Sequence, residues 1–247
     1  MNRLDNIIFK GAKVSKLAIT DDELAKINEL AINTLTAEQL YTFKVAICNN
    51  EVDRDFEVFP LKSLEKMAGL FNGRTIIKNH QNNSDNQCAR IYDTEVIKGK
   101  GMTKNDETYA QLIAHCYMIK TDSNKDLVAE IQGGIKKEVS VGCKLTQAVC
   151  SICGIDNRKA YCEHYGGQEY DGKQCYFKLL EPLDAYEVSF VAVPAQPKAG
   201  VTKSYTGEEQ TYREDMGNTI EYKLKKDLIN AELGIIKSFI FIQKERG

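Results

Sequence analysis

No stretch of this 247-residue sequence approaches the roughly 20 consecutive apolar residues that a membrane-spanning helix needs, so no membrane partner is expected. The first residues, Met1 to Lys13, carry charges but no apolar central segment. The expectation is that they are not a secretory signal and that the chain works in a reducing cytosol. A basic surplus is missing too: 33 Lys and Arg stand against 35 Asp and Glu, a formal net charge of −2. Without a surplus to neutralise phosphates, nucleic acid is not an expected partner. Local groups such as Lys98 with Lys100, or Lys223 with Lys225 and Lys226, read as solvated surface. Tryptophan is absent, and only three histidines occur.

What is present suits one folded domain with a sizeable core, alone or with a tail: 43% of residues are hydrophobic and 28% charged. Eight cysteines are expected to be free thiols or metal ligands rather than disulfides, given the reducing compartment.

The periodicity predicts a short helix over 21–32, capped by Thr20 or Asp21, and a second over 61–71 that stops at Asn72-Gly73. A third is expected at 122–134. Strands are expected at 41–48, 74–80, 88–97, 108–119, 136–145, 175–180 and 185–193. The class is mixed and β-rich, a small barrel or curled sheet with surface helices. The division is an N-terminal helical segment (1–39), a main domain (40–203) and a polar linker with a helical tail (204–247), the tail helix at about 222–241. Residues 149–175, rich in Cys, Gly and Tyr, read as an insertion between strands.

Three segments in fixed order carry the chemistry: Ile76 to His80 (IIKNH), Glu138 to Cys143 (EVSVGC), and Tyr186 to Val201 (YEVSFVAVPAQPKAGV). In that order they resemble the prohead proteases of tailed phages, relatives of the herpesvirus assembly proteases, over roughly residues 40 to 203. The resemblance implies a herpesvirus-protease-like small β-barrel and a serine endopeptidase. Its nucleophile falls on Ser140 and its histidine on His80. Glu187 stands where the herpesvirus enzymes carry another histidine, as a carboxylate does in many phage relatives. The implied substrates are scaffold and major capsid protein, and the protease itself, inside an immature procapsid in the host cytoplasm. A homodimer is among the states related viral enzymes form. The tail from about 204 would suit removal by self-cleavage.

The residue types fit the role. A serine hydroxyl needs a base within hydrogen-bond reach, histidine titrates near the working pH, and a carboxylate on its other nitrogen fixes the tautomer. Strand alternation puts Val139, Val141 and Cys143 on one face and Ser140 and Gly142 on the other, while Glu187 lies opposite Val188, Phe190 and Ala192 in phase. With the apolar faces in the core, Ser140 and Glu187 point outward, and Gly142 is expected to leave room for a substrate backbone. Asp184 and Asp85 are fallback carboxylates. His115 reads as packed, and Cys143, a rival nucleophile, as a buried structural thiol. By resemblance to the herpesvirus branch, the loop after the third segment is expected to supply a backbone donor for an oxyanion, with N–H groups at Ala195, Gln196, Lys198, Ala199 and Gly200.

A second constellation is Cys150-x2-Cys153 followed by Cys162-x-His164. Two thiolates on a turn and a second pair can close a tetrahedron around a structural zinc, with Cys175 as an alternative to His164. Such a metal would staple an insertion too small to bury its own core. Free thiols in a loop, or a redox-active Cys-x2-Cys pair, are the competing readings. For the whole chain the rivals are a non-catalytic zinc-stapled head-assembly or scaffold protein, and a zinc-dependent nucleic-acid-binding module that the charge balance disfavours.

Overall fold

A computed structural model describes residues 19–205. Helix α1 (Asp21–Leu30) starts at a capping box: Thr20 accepts from the Glu23 N–H, and the Glu23 carboxylate accepts from the Thr20 N–H. Its inner face sets Ile27 against Leu40, Tyr92 and Tyr117. Helix α2 (Leu61–Phe71) buries Leu64, Met67 and Phe71 completely, the 3.6-period stripe that makes it a core helix. Helix α3 is Lys125–Gln132. Among the described residues no helix is long and apolar enough to cross a membrane.

The strands are β1 (Leu40–Asn49), β2 (Glu57–Val58), β3 (Thr75–Lys78), β4 (Ala89–Met102), β5 (Thr108–Ile119), β6 (Val139–Cys150), β7 (Glu169–Tyr170), β8 (Lys173–Gln174), β9 (Phe177–Phe190) and β10 (Gly200–Tyr205). One sheet runs β10-β1-β5-β4-β3-β9-β2, with β6 also paired to β9. Strands β2 and β3 lie parallel to β9, and the other pairings are antiparallel. The core fills the curl of this sheet under α2, where Phe43 of β1 stacks on Phe190 of β9 at 6.4 Å.

The expected barrel is not closed. At β10 the sheet meets β6 through a single bridge, Glu138 to Gly200, supported by the Val201 N–H donating to the Lys137 carbonyl at 2.8 Å. Among the described residues the architecture is therefore a β-rich mixed sheet carrying three α-helices.

Two expected strands, 175–180 and 185–193, are one. Strand β9 continues through Glu181 (φ 51°) and Pro182, because two bulges, at Leu183 and Tyr186, absorb the irregularity against β6. Strand β6 runs five residues past its expected end and carries Cys150. Strand β10 starts at the end of the third segment and runs to Tyr205, into the first residues of the expected linker, and the rest of the linker and the tail helix lie outside the described residues.

Leu64→Ala should cost about 2–5 kcal/mol, because the helix cannot collapse onto the space left under β9. Urea unfolding of the purified protein measures this, and an unchanged midpoint would contradict the packing described.

Candidate functional site

The β6–β9 ladder sets Ser140 opposite Ser189 and Gly142 opposite Glu187. Antiparallel partners project to one face, so all four residues share it, while Val139, Val188 and Phe190 are buried in the core on the other. On the far side of β9, parallel β3 pairs Thr75 with Glu187 and Ile77 with Ser189. The chain leaving β3 therefore arrives over this same face.

It arrives as a strained turn. Asn79 (φ 55°) and His80 (φ 52°) are both left-handed, a conformation that Asn and His adopt more readily than most side chains. Three contacts hold it: the Asn79 N–H on the Phe190 carbonyl (2.9 Å), the His80 N–H on Ser189 Oγ (2.7 Å), and the Asn86 amide on the Lys78 carbonyl (2.6 Å). The result aims the imidazole at Glu187, with Nδ1 2.8 Å from Oε1.

Glu187 is buried, its side chain 4% exposed against 44% for His80. Its Oε2 has no hydrogen-bond partner among the described residues. A carboxylate taken out of water with so little compensation favours a donor, and then a cation, on its other oxygen. An ionised carboxylate can only accept, so facing one the ring donates from Nδ1 and keeps Nε2 as an acceptor. Nε2 makes no hydrogen bond among the described residues, and neither does Ser140 Oγ. His80 and Glu187 are thus joined, and Ser140 lies across the ladder from them without a hydrogen bond to the ring.

Gly142 requires correction. A Cβ there would lie 2.3 Å from Glu187 Oε1, so the missing side chain makes room for the carboxylate rather than for a substrate backbone. Ser189 was not singled out from sequence. It shares the strand phase of Glu187, opposite Val188 and Phe190, yet it is completely buried, and its Oγ anchors the His80 backbone.

The other candidates have separate places. Asp184 pairs with Arg74 at 2.9 Å, and Asp85 is exposed in a short 3-10 turn (Ser84–Asn86). His115 is buried beside Tyr92 and 2.8 Å from Glu95, whose carboxyl this contact holds below its ordinary range. Cys143 packs against the core, and burial pushes its thiol up to about 11, a poor nucleophile at neutral pH.

A cavity of about 230 Å³ adjoins Ser140. Its walls include Asp53, Asp55, Glu57, Ala195 and Gln196. Burial raises the Asp53 and Glu57 carboxyls above their usual range. The 194–199 loop is pinned by Gln196, whose amide both accepts from the Asn49 N–H (2.7 Å) and donates to its carbonyl (3.0 Å). Of the expected oxyanion donors, Ala199 is spent on the Gln196 carbonyl at 3.0 Å.

At the opposite end of the same ladder, Cys150, Cys153, Cys162 and His164 converge, with their ligand atoms all within 4.8 Å of one another. Cys153 and Cys162 sulfurs are 3.5 Å apart, and His164 Nδ1 is 3.5 Å from Cys162 Sγ. Three thiols and an imidazole at this spacing suit a soft or borderline cation, so the cluster could hold a metal ion. None of the eight cysteines is in a disulfide. A closed set of four protein ligands leaves no open position, so a metal there would supply structure rather than chemistry.

No described protein family, curated protein or solved structure matches this chain.

Gly142→Ala should push the Glu187 carboxylate off His80. Nitrogen-detected NMR of the ring is expected to report the Nδ1–H tautomer in the native protein and a mixture in the variant; an unchanged tautomer would contradict the close approach described.

Proposed function

We propose that this chain is a serine endopeptidase of the phage prohead type, with Ser140 as nucleophile, His80 as base and Glu187 as the group that orients the imidazole. The observation that carries the reading is the His80–Glu187 hydrogen bond, made over the strand face that also bears Ser140. It is the pairing a triad needs on its base, and it joins residues 107 apart in sequence.

In the proposed reaction Ser140 Oγ attacks a peptide carbonyl carbon while Nε2 of His80 takes the hydroxyl proton. The buried Glu187 stabilises the imidazolium through Nδ1. The C–N bond then breaks as His80 passes that proton to the leaving amine, and water, activated by the same nitrogen, hydrolyses the acyl-enzyme. The ring is half-exposed and makes no hydrogen bond to Ser140, and such contacts commonly tighten only when substrate is bound. By the same resemblance an oxyanion donor would come from the backbone N–H groups of Ala195, Gln196, Lys198 or Gly200.

The fold implied by this reading is herpesvirus-protease-like, with the sheet left open at β10 and β6. Substrates would be scaffold and major capsid protein, cut within the immature head, together with the protease's own tail. The insertion would be stapled by zinc through Cys150, Cys153 and Cys162 with His164 or Cys175.

Co-expression with the cognate major capsid protein tests the proposal. The native chain should yield a shortened capsid protein with one new N-terminus, and Ser140→Ala should yield none. Equal processing by both, or intact capsid protein with both, would sink it, and the second result would favour a non-catalytic assembly protein.

A further inference from the structure

Five soft donors surround the insertion, one more than a tetrahedral centre takes. Resting on the metal reading above, we propose that Cys175 rather than His164 is the fourth ligand. A zinc-type divalent cation is then held by four thiolates, Cys150, Cys153, Cys162 and Cys175, and His164 lies just outside them.

Distance admits Cys175 as it admits His164, whose ligand nitrogen lies within 4.8 Å of the other three ligand atoms, so burial and rigidity must decide between them. Cys175 Sγ is 3.8 Å from Cys150 Sγ. Zinc–thiolate bonds of about 2.3 Å place two sulfurs of a regular tetrahedron about 3.8 Å apart. Cys175 is completely buried with Cys150 and Cys162 in one small cluster. Both of its backbone groups are committed: its N–H donates to the Gln168 carbonyl (2.7 Å), and its carbonyl accepts from Gly167 (2.8 Å). A thiol held this way loses little freedom on binding. The approach of Gly167 is itself specific, since φ is 85° and a Cβ there would strike the Phe56 ring at 2.5 Å.

His164 has a different setting. Its ring stands edge-on to Tyr170 at 4.5 Å, and its backbone N–H already donates to Cys162 Sγ at 3.4 Å. With Nδ1 3.5 Å from the same sulfur, the imidazole can donate a second N–H to it. That is the role of an outer group that stabilises a coordinated thiolate. The Ile152 N–H serves Cys150 in the same way at 3.4 Å.

The choice of ligand has a mechanical consequence. Cys150 is the last residue of β6, and Cys175 stands two residues before β9. A cation shared between them ties these two strands directly, at the pair Cys150 and Phe177, eleven residues along β6 from Ser140 counted inclusively. A slip of one residue in this ladder would turn Ser140 into the core. With His164 as ligand instead, the metal would bind only β6 to the insertion.

Anaerobic titration of the full-length protein with cobalt(II), read by its absorption bands, tests the ligand set. The native protein should take up one ion with the bands of four sulfurs. His164→Ala should keep those bands while its affinity falls about ten- to a hundredfold, as for loss of an outer donor. Cys175→Ser should lose the ion or shift the bands to a mixed sulfur and oxygen or nitrogen pattern. Cadmium NMR of the native protein guards against a variant that fails to fold, since its shift separates four sulfurs from three sulfurs and one nitrogen. A three-sulfur signal, or bands retained in Cys175→Ser and altered in His164→Ala, would overturn the proposal. A native protein that takes up neither ion would instead remove the metal reading on which it rests.

Discussion

The antiparallel ladder between β6 and β9 is the constraint on which the rest of the molecule depends. It decides which side chains face the core and which face the turn after β3. Ser140, Gly142, Glu187 and Ser189 come to one surface only because their pairing is Ser140 with Ser189 and Gly142 with Glu187. The two bulges on β9 lie between this end and the cysteine cluster, so the register must be maintained across them. Side chains alternate every residue, and no intermediate register would leave a working arrangement.

On that scaffold the site is assembled from costs that offset one another. A left-handed pair at Asn79 and His80 is unfavourable by itself and persists because the neighbouring chain fixes it. A buried Glu187 is unfavourable unless something donates to it. Each problem is answered by the other: the turn brings the imidazole to the carboxylate, and Ser189 holds the turn. Gly142 contributes by absence, because any side chain would occupy the space of Oε1. The buried carboxylate, the half-exposed ring and the neighbouring hydroxyl together form the arrangement from which proton transfer is proposed.

Much of the fold was legible in the sequence. The stripe of Leu64, Met67 and Phe71 marked α2, and the alternation around Val139 and Val188 placed Ser140 and Glu187 on the non-core face, although Glu187, expected to point outward, is buried. Sequence order, not local pattern, joined His80 to them. Other features could not be read locally. The gap between the expected strands 175–180 and 185–193 is bridged in β9, because the bulge beside Pro182 depends on the partner strand. The Asp171-Gly172 turn between β7 and β8 was a readable hairpin signal, with φ values of 49° and 74°, inside a segment taken only as an insertion. The barrel expected by resemblance is open because β10 and β6 meet at one bridge, a matter of curvature that composition does not encode. Ser189 carries no sequence signal beyond the strand phase it shares with Glu187. The closeness of Cys175 to Cys150 comes from strand return over 25 residues, not from motif spacing.

The central claim is that His80, oriented by Glu187, activates Ser140. Treating the full-length protein with a fluorophosphonate and locating the adduct by mass spectrometry addresses it most directly. The account predicts a single adduct on Ser140, formed in the native protein and lost in His80→Ala. An adduct formed equally fast without the imidazole, or a native protein whose Ser140 never reacts, would contradict it.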